Sequence, residues 1–330
     1  MKPGYIQDRQ RQVGFSLVEL MIAMVLSLFL IAGMLQVYLG NRQTYRTGEA
    51  LSRVQENGRF AMDFLTRDIR MADYWGCARV DSLSNDLNPS GTGYDDFNHS
   101  FTDGIQATDG DGANGSDSIT LAGAGGAPLG VEPPYMPTVS SSMQVAINNG
   151  IQQGDILIVA DCTSADVFQQ SGNNANTSGT VTHNTGNTVS PGNATGDLSK
   201  TYRGDASIFR AMKVEYTVAN DPVTAEPTLY RRERGGTAQP LVEGIEQMQL
   251  LFGEDTNNDG SADRYLDAGN GALDMASVVS VRVQLLVRGP EGNVLEEPQV
   301  LPAPFAGVDT TDRRLRQVFT STITIRNRAL

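Results

Sequence analysis

The chain has 330 residues, of which 25 are Lys or Arg, 38 are Asp or Glu, two are Cys and two are His. This length allows one large domain or two small ones, with a sizeable hydrophobic core. The formal net charge of −13 repels phosphate backbones, so the bulk of the protein is not expected to bind nucleic acid.

The first element is a basic leader followed by a long apolar run. Residues 1–14, MKPGYIQDRQRQVG, are polar and net positive, and Glu19 is the only formal charge from Phe15 to Leu39. At about 1.5 Å per residue, a helix over this run covers a hydrocarbon core of about 30 Å. The basic flank is expected to stay in the cytoplasm, which places the rest of the chain across the membrane.

Two simpler interpretations of this run are a secretory signal and a plain signal anchor. A secretory signal has an apolar core of about 7–15 residues and a small-residue cleavage site. The run is longer, and the sequence YLGNRQTYR after it offers no such site. A plain anchor leaves Glu19 unexplained, because a charge at the centre of a spanning helix costs about 2.5–3.5 kcal/mol. This carboxylate therefore indicates a partner, although its position near the interface lowers the cost.

The motif G-FSLVEL resembles the processing motif of type IV prepilins and pseudopilins. The resemblance implies that a prepilin peptidase cleaves after Gly14 and that the new N-terminal residue, Phe15, becomes N-methylated. It also implies that Glu19 meets the α-amino group of a neighbouring subunit in the filament, where pairing makes a desolvated carboxylate tolerable. Cleavage removes three basic residues and one acidic residue, which leaves 22 against 37, a net charge of −15.

An amphipathic helix continues from the apolar run. One face consists of apolar or small residues at spacings of three and four, namely Leu51, Val54, Gly58, Ala61, Leu65 and Ile69. Opposite charges four residues apart lie elsewhere, at Glu49–Arg53, Arg59–Asp63 and Asp63–Arg67. The absence of proline from this stretch predicts one helix from about Phe15 to about Asp73. A sheet is expected to cover the apolar face of this helix. A coiled-coil stalk is the weaker alternative, because the apolar stripe lasts only about three heptads.

The helix is followed by strand patterns and two polar segments. VVSVRVQLLVRG is the clearest strand, and SIFRAMKVEYTVA and TLYRRERG predict a hairpin. DSITLAG, GDILIVADC, GIEQMQLLFG and VFTSTITIRNR are further candidates. Residues 84–116 and 171–200 predict loops, the second a mobile surface insertion because it is almost free of large apolar side chains. The sequence therefore predicts an α+β, type IV pilin-like fold, with the long helix packed on a mostly antiparallel sheet.

Few residues in this head suggest chemistry. His99 and His183 lie in polar, loop-like surroundings, and no metalloprotease, serine-hydrolase or P-loop motif occurs. AGAGGAPLG fails the dinucleotide fingerprint, because Pro128 interrupts the helix that should follow, and it predicts a flexible turn. Cys77 and Cys162 would be unrelated thiols in a cytosolic enzyme, but a head outside the cytoplasm favours a disulfide between them.

The best candidate for a ligand site is DTNNDGSADRYLD. Oxygen-bearing side chains occupy alternate positions of a calcium loop, at Asp255, Asn257, Asp259, Ser261 and Asp263. Gly260 stands where the loop turns sharply, but Leu266 replaces the expected bidentate Glu, and Asp267 comes one residue late. The alternative is an Asp/Asn/Gly turn that needs no metal. A poorer calcium candidate is DGDGANGSD, with Asp109, Asp111 and Asp117.

Further segments resemble PilW-type minor pilins, above all QENGRFAMDFLTRDIRMADYWGC and the closing RRLRQVFTSTITIRNR. The resemblance is patchy through the two polar segments. It implies a non-enzymatic minor pilin that helps to initiate type IV pilus assembly and sits at or near the tip, with roles in twitching motility and adhesion. The implied partners are other minor pilins, the major pilin, a tip adhesin and the prepilin peptidase.

The expected organisation is a leader at 1–14, a transmembrane or filament-core helix at 15–39, its amphipathic continuation at 40–75 and a β-rich head at 76–330. The head is expected in the periplasm, on a single-pass inner-membrane protein, and later on the extracellular pilus. Two alternatives remain, a J-type pseudopilin of type II secretion and an unprocessed, membrane-anchored calcium- or ligand-binding protein. An intact Met1 in the mature protein would favour the second alternative.

Overall fold

The structure, a computed structural model, describes Gly14 and residues 16–78, 82–186 and 188–329. Its first element is a single helix of 55 residues, α1 (Leu17–Met71), as the pattern predicts; Phe15 lies outside the described residues. The elements that follow are β1 (Leu83–Asn85), α2 (Asp96–His99), β2 (Ile105–Thr108), β3 (Ser118–Gly130), β4 (Met143–Gln144), β5 (Ile156–Ala160), β6 (Ala165–Gln169), α3 (Ala175–Ser178), β7 (Thr180–Val181), β8 (Ser207–Asn220), β9 (Pro227–Glu233), β10 (Gln239–Glu243), β11 (Ile245–Glu254), β12 (Arg264–Leu266), β13 (Val278–Arg288) and β14 (Arg316–Thr324).

The strands form an eight-stranded sheet, a four-stranded sheet and a two-stranded ribbon. In the larger sheet the order is β1-β6-β5-β8-β3-β2, and β9 and β10 continue it from the second half of β8. The smaller sheet has the order β12-β11-β13-β14 and is antiparallel. Among the pairs within the described ranges only β1–β6 is parallel, so the predicted α+β class and mostly antiparallel sheet are confirmed.

The C-terminal half of α1 packs against β13 and β14 and closes the main core. Its buried face consists of Ala50, Val54, Gly58, Ala61, Leu65 and Ile69. Leu51 was predicted on this face but is 40% exposed, and Ala50 is buried in its place because the sheet lies on that side of the helix. A Cβ atom at Gly58 would lie 2.3 Å from Cε2 of Phe319, so the missing side chain lets β14 approach the helix.

Of the three oppositely charged spacings on the outer faces of α1, one forms an ion pair within the described residues. Glu49 and Arg53 pair at 2.9 Å. Neither Arg59–Asp63 nor Asp63–Arg67 is paired in the described part of the chain, and the Arg67 guanidinium lies over the ring of Phe64 instead. An exposed ion pair gains little over an alternative contact of this kind.

The glycine-rich segment AGAGGAPLG forms the second half of β3, so the prediction of a flexible turn there is wrong. A bulge between Gly125 and Leu129 absorbs the irregularity, and Gly126 has a positive φ of 80°. A Cβ atom at Gly123 would lie 3.0 Å from the carbonyl oxygen of Tyr74. The small residues thus let the chain that leaves α1 cross close to the strand.

Within the second polar segment, residues 171–186 and 188–200 pack on the sheet instead of forming the predicted mobile insertion. Ala175, Val181 and His183 are buried, and His183 is only 1% exposed. The Asn193 side chain both accepts from the backbone N–H of Gln169, at 2.7 Å, and donates to its carbonyl, at 2.8 Å. Hydrogen bonds from small polar side chains therefore hold this segment where large apolar side chains are scarce.

Histidine 99 also differs from its prediction, because it is buried rather than lying in a polar loop. Its carbonyl accepts from the Asn85 side chain, at 2.9 Å. The ammonium group of the buried Lys213 donates to the carbonyl of Ser100, at 2.6 Å. The first polar segment, 84–116, was predicted as a loop but contains α2, β2 and part of β1, and it is fastened to β8.

Candidate functional site

The N-terminus of α1 begins with a capping box at the residues of the processing motif. The backbone N–H of Ser16 donates to Oε2 of Glu19, at 2.9 Å, and the Glu19 N–H donates to Oγ of Ser16, at 3.2 Å. Each side chain thereby satisfies a donor that the first helical turn leaves free. The resemblance assigns Glu19 to a partner in another subunit, and this local role was not predicted, although Ser three residues before Glu is the sequence signal of a capping box.

The predicted cleavage position lies just outside this capped turn. Gly14 is exposed, and no other heavy atom would lie within 4 Å of a Cβ added there. Phe15 and residues 1–13 lie outside the described residues. The head therefore does not cover the chain at Gly14.

The first half of α1 extends away from the head. It is the one described helix that is long and apolar enough to cross a membrane, and no part of its most apolar window is buried. Large side chains such as Leu17 and Phe29 are 76% and 74% exposed. The head reaches the helix at Gln43, whose side chain donates to the Val294 carbonyl, and at Arg46, which pairs with Glu291 at 3.1 Å. Burial of the apolar half therefore requires a bilayer or other proteins.

The opposite end of α1 is tied to the head by a disulfide. Cys77 and Cys162 form the predicted bond, with an Sγ–Sγ distance of 2.08 Å, and it joins the chain after α1 to the end of β5. Trp75 is buried beside this bond and donates its indole N–H to Oδ1 of Asp73, at 2.7 Å. The bond closes a loop with a sequence separation of 85 residues.

The C-terminus is fastened to the same end of α1, which the sequence analysis did not foresee. The backbone N–H of Arg326 donates to the carbonyl of Arg70, at 3.2 Å, and the Asn327 side chain donates to that of Ala72, at 2.9 Å. Arg328 pairs with the buried Asp73 and donates to the carbonyl of Val278. These contacts, here named the C-terminal clamp, lie beside a polar cleft of about 410 Å³.

The candidate calcium loop lies on another side of this cleft. Its first carboxylate, Asp255, accepts from the backbone N–H groups of Asn257, Asp259 and Gly260, the last at 2.7 Å. Ser261 donates its N–H to Asp259, at 2.8 Å. The hydroxyl of Thr256 donates to Asp263, which lowers the pKa of that carboxyl.

This geometry resembles the turn that needs no metal, because the carboxylates accept from their own loop. Over residues 16–78, 82–186 and 188–329, no three His, Cys, Asp or Glu side chains converge as a metal site. Calcium at this loop stays a prediction. In the poorer candidate, Asp117 accepts from the N–H groups of Gly110, at 3.0 Å, and Leu250, at 2.7 Å, so it joins β3 to β11. Burial raises the pKa of Asp117 to about 6.

A buried charge cluster fixes the segment between β13 and β14. Arg316 is almost fully buried and donates twice to Glu246, at 2.7 and 3.1 Å. Arg288 connects Glu246, at 3.3 Å, to Glu226, at 2.8 Å. These charges are mutually paired, which is the condition for keeping them buried.

Two family models match the chain. Residues 9–35 match the prokaryotic N-terminal methylation motif, which covers Gly14, Phe15 and Glu19. Residues 215–327 match type IV pilus-assembly protein W; this range begins in β8 and includes the candidate calcium loop and most of the C-terminal clamp. No curated protein and no solved structure matches the chain.

Proposed function

We propose that this chain, a PilW-like protein of type IV pilus assembly, is a minor pilin that helps to initiate the pilus and remains at or near its tip. The observation that carries the proposal is α1 itself. An exposed, membrane-length apolar half is continuous with a half that is buried in the head. Such a helix can leave a bilayer only when neighbouring helices replace the lipid around it.

Processing fits the same helix. We propose the division into a leader (1–14), a membrane or filament-core segment (15–39), an amphipathic continuation (40–75) and a head (76–330). The methylation motif supports cleavage after Gly14 and N-methylation of Phe15. The exposed chain at Gly14 is accessible to a peptidase.

Glu19 has two successive partners in this proposal. In the single chain, its carboxylate accepts from the N–H of Ser16 and caps its own helix. In the filament it pairs with the α-amino group at Phe15 of a neighbouring subunit. An amino group is a charged donor, and a charge-assisted hydrogen bond is stronger than one from a neutral amide. The carboxylate therefore selects subunits that have been cleaved.

The head is proposed to lie in the periplasm and then on the extracellular pilus. The basic leader supports this orientation, and the disulfide supports an oxidising compartment. The head is large and held as one body by α1, which suits a terminal position better than a repeating shaft. The proposed partners are other minor pilins, the major pilin and a tip adhesin. This family serves in pilus assembly and is not an enzyme family.

The decisive experiment is the substitution Glu19→Ala, with Glu49→Ala on the same helix as the matched control. Glu49 is an exposed residue beyond the apolar run, so its loss should leave incorporation into pili normal. Glu19→Ala should retain membrane insertion and cleavage, measured by fractionation and N-terminal sequencing, while its incorporation into pili falls. Normal incorporation of Glu19→Ala would refute the pairing role.

Three further measurements test the proposal against its alternatives. A deletion strain should lose surface pili and twitching, whereas loss of enzyme secretion would assign the chain to type II secretion. Immunogold labelling should mark pilus ends, and even decoration of the shaft would exclude a tip position. A soluble head from about residue 40 should co-elute with the heads of its minor-pilin partners.

A further inference from the structure

Two carboxyl groups lie side by side in the larger sheet. Asp166, on β6, is completely buried, and Asp86, one residue beyond β1, is 7% exposed. In the parallel pairing of these strands Ser84 stands opposite Asp166, and the Asp86 N–H donates to the Val167 carbonyl, at 2.8 Å. Because side chains two residues apart share a face, Asp86 projects to the same face as Asp166.

The donors around this pair leave one oxygen without a partner. Asp166 accepts from the N–H and the hydroxyl of Ser199, at 2.9 and 2.7 Å, and from the hydroxyl of Tyr202. Asp86 accepts from the hydroxyl of Ser84 on Oδ1, at 2.8 Å. Its Oδ2 is buried without a hydrogen-bond partner in the described residues. Two ionised carboxylates in this position would repel each other.

The neighbouring charges do not neutralise this pair. The charge of Asp166 acts on His183 and Tyr202, and these two side chains have Asp161, Asp197 and Lys200 as further charged neighbours. Lys200 pairs with Asp161 instead. His183 directs its two ring nitrogens at the carbonyls of Gly196 and Ser141, and burial lowers its pKa. Within the described ranges no Lys, Arg or His forms an ion pair with Asp86 or Asp166.

We propose that Asp86 and Asp166 hold one proton between them, and that this shared proton fastens residues 192–199 to the edge of the larger sheet. One side of the segment is tied to the chain around Asp86, through Ala194 N–H to the Asp86 carbonyl, at 2.8 Å. The other side is tied to Asp166 through Ser199. Loss of the proton sets two negative charges against each other between these ties, so the segment opens. This device is independent of the pilus role.

The direction of the pH dependence follows from linkage. Burial raises the pKa of Asp86 from 3.8 to about 6, and the charge of Asp166 adds to this effect. The closed segment therefore binds the proton more tightly than the open one, and acid favours closure. Closure of the segment weakens as the pH rises from 3.8 through about 6, and it changes little at higher pH. The opening constant should increase about tenfold between pH 5 and pH 7.5.

Hydrogen exchange of the full-length protein in detergent micelles measures this opening. Protection of the amides in residues 192–199, corrected for the pH dependence of intrinsic exchange, should fall about tenfold from pH 5 to pH 7.5. In Asp86→Asn the carboxamide donates to Asp166 at every pH, so protection should stay high and constant. Asp205→Asn, at an exposed carboxylate, should keep the wild-type profile.

A pH-independent wild-type profile would overturn the proposal without any variant, and so would an unchanged pH dependence in Asp86→Asn. Calcium chloride serves as the probe for a competing explanation. If calcium protects the wild-type segment at pH 7.5 and Asp86→Asn abolishes that protection, a cation rather than a proton bridges the carboxylates. An absence of calcium protection, together with the expected pH profile, supports the shared proton.

Discussion

The contact between Gly58 and Phe319 makes a sharp prediction about how α1 sits on the smaller sheet. An alanine at position 58 would bring its Cβ atom to 2.3, 2.5 and 2.6 Å from three atoms of the Phe319 ring. Real carbon contacts are about 3.5–4.0 Å, so either the ring or the helix must move. Overpacking of this kind costs about 1–3 kcal/mol.

Replacing glycine by alanine also has a stabilising effect, because alanine has the higher helix propensity. A second glycine of α1, Gly48, measures this effect separately. Alanine is favoured over glycine in a helix by about 1 kcal/mol. Gly48 has no neighbouring atom that an added Cβ would meet, so Gly48→Ala should stabilise the protein by about 1 kcal/mol. The unfolding free energy of Gly58→Ala should be about 1–3 kcal/mol lower than that of Gly48→Ala, and this difference is the steric cost alone.

Urea unfolding of the full-length protein in micelles measures both free energies. Trp75 is the only tryptophan and is 1% exposed, so its fluorescence reports the core beside the end of α1. Phe319→Ala should relieve the clash, so that Gly58→Ala becomes stabilising in that background. If Gly58→Ala stabilises the wild type as much as Gly48→Ala does, the close packing of α1 on β14 is refuted.

Three other perturbations test separate parts of the head. Replacement of Cys77 and Cys162 by Ser should lower the unfolding free energy by about 4–5 kcal/mol in the chain-entropy model, measured in urea, and an unchanged midpoint would contradict it. Asp259→Ala should abolish a calcium-dependent rise in melting temperature; if the wild type is equally insensitive to calcium and chelator, the site does not exist. Burial opposes ionisation of Asp161, but hydrogen bonds from Lys200 and Thr163 outweigh it and lower its pKa to about 2. The resulting stability is present above the ordinary pKa of 3.8 and is lost as pH falls toward 2. Lys200→Met should therefore lower the unfolding free energy at pH 7 by about 1 kcal/mol or less. It should also make the unfolding free energy fall less steeply as the pH is lowered toward 2. An unchanged acid slope in Lys200→Met would show that the pair is not responsible.

Elements with a strong local pattern could be predicted from the sequence. Spacings of three and four identified α1, and alternation identified β13, because each pattern reports one buried face. The error at Leu51 arises from the same rule, since a stripe of mixed small and large residues leaves its edge ambiguous. Only the position of the sheet decides that Ala50 faces inward and Leu51 outward.

Features that depend on distant parts of the chain could not be predicted. In β3, Gly123 lies close to the backbone of Tyr74, and Asn193 is held by hydrogen bonds with Gln169. No local pattern contains either contact. The pairing of Asp86 with Asp166 likewise requires the parallel alignment of β1 with β6.

The candidate site likewise has a local part that the sequence reveals and a part formed by distant segments that it does not. Gly14, Phe15 and Glu19 belong to one short motif, so their proposed roles could be read without coordinates. The cap between Ser16 and Glu19 was equally local and was overlooked, because the motif already offered Glu19 a partner elsewhere. The C-terminal clamp joins chain segments too distant for any sequence pattern to connect.

The disulfide and the C-terminal clamp also determine how the molecule carries tension. A pull on the apolar half of α1 first meets the head contacts of Gln43 and Arg46 and the buried face of the helix. The tension that these contacts do not hold reaches the end of the helix, around Asp73 and Cys77. There the bond to Cys162 passes the tension covalently to β5, and the loop between the two cysteines is bypassed. The clamp passes a second share to β14 through the C-terminal residues. The tension that reaches the end of the helix is thus spread over both sheets.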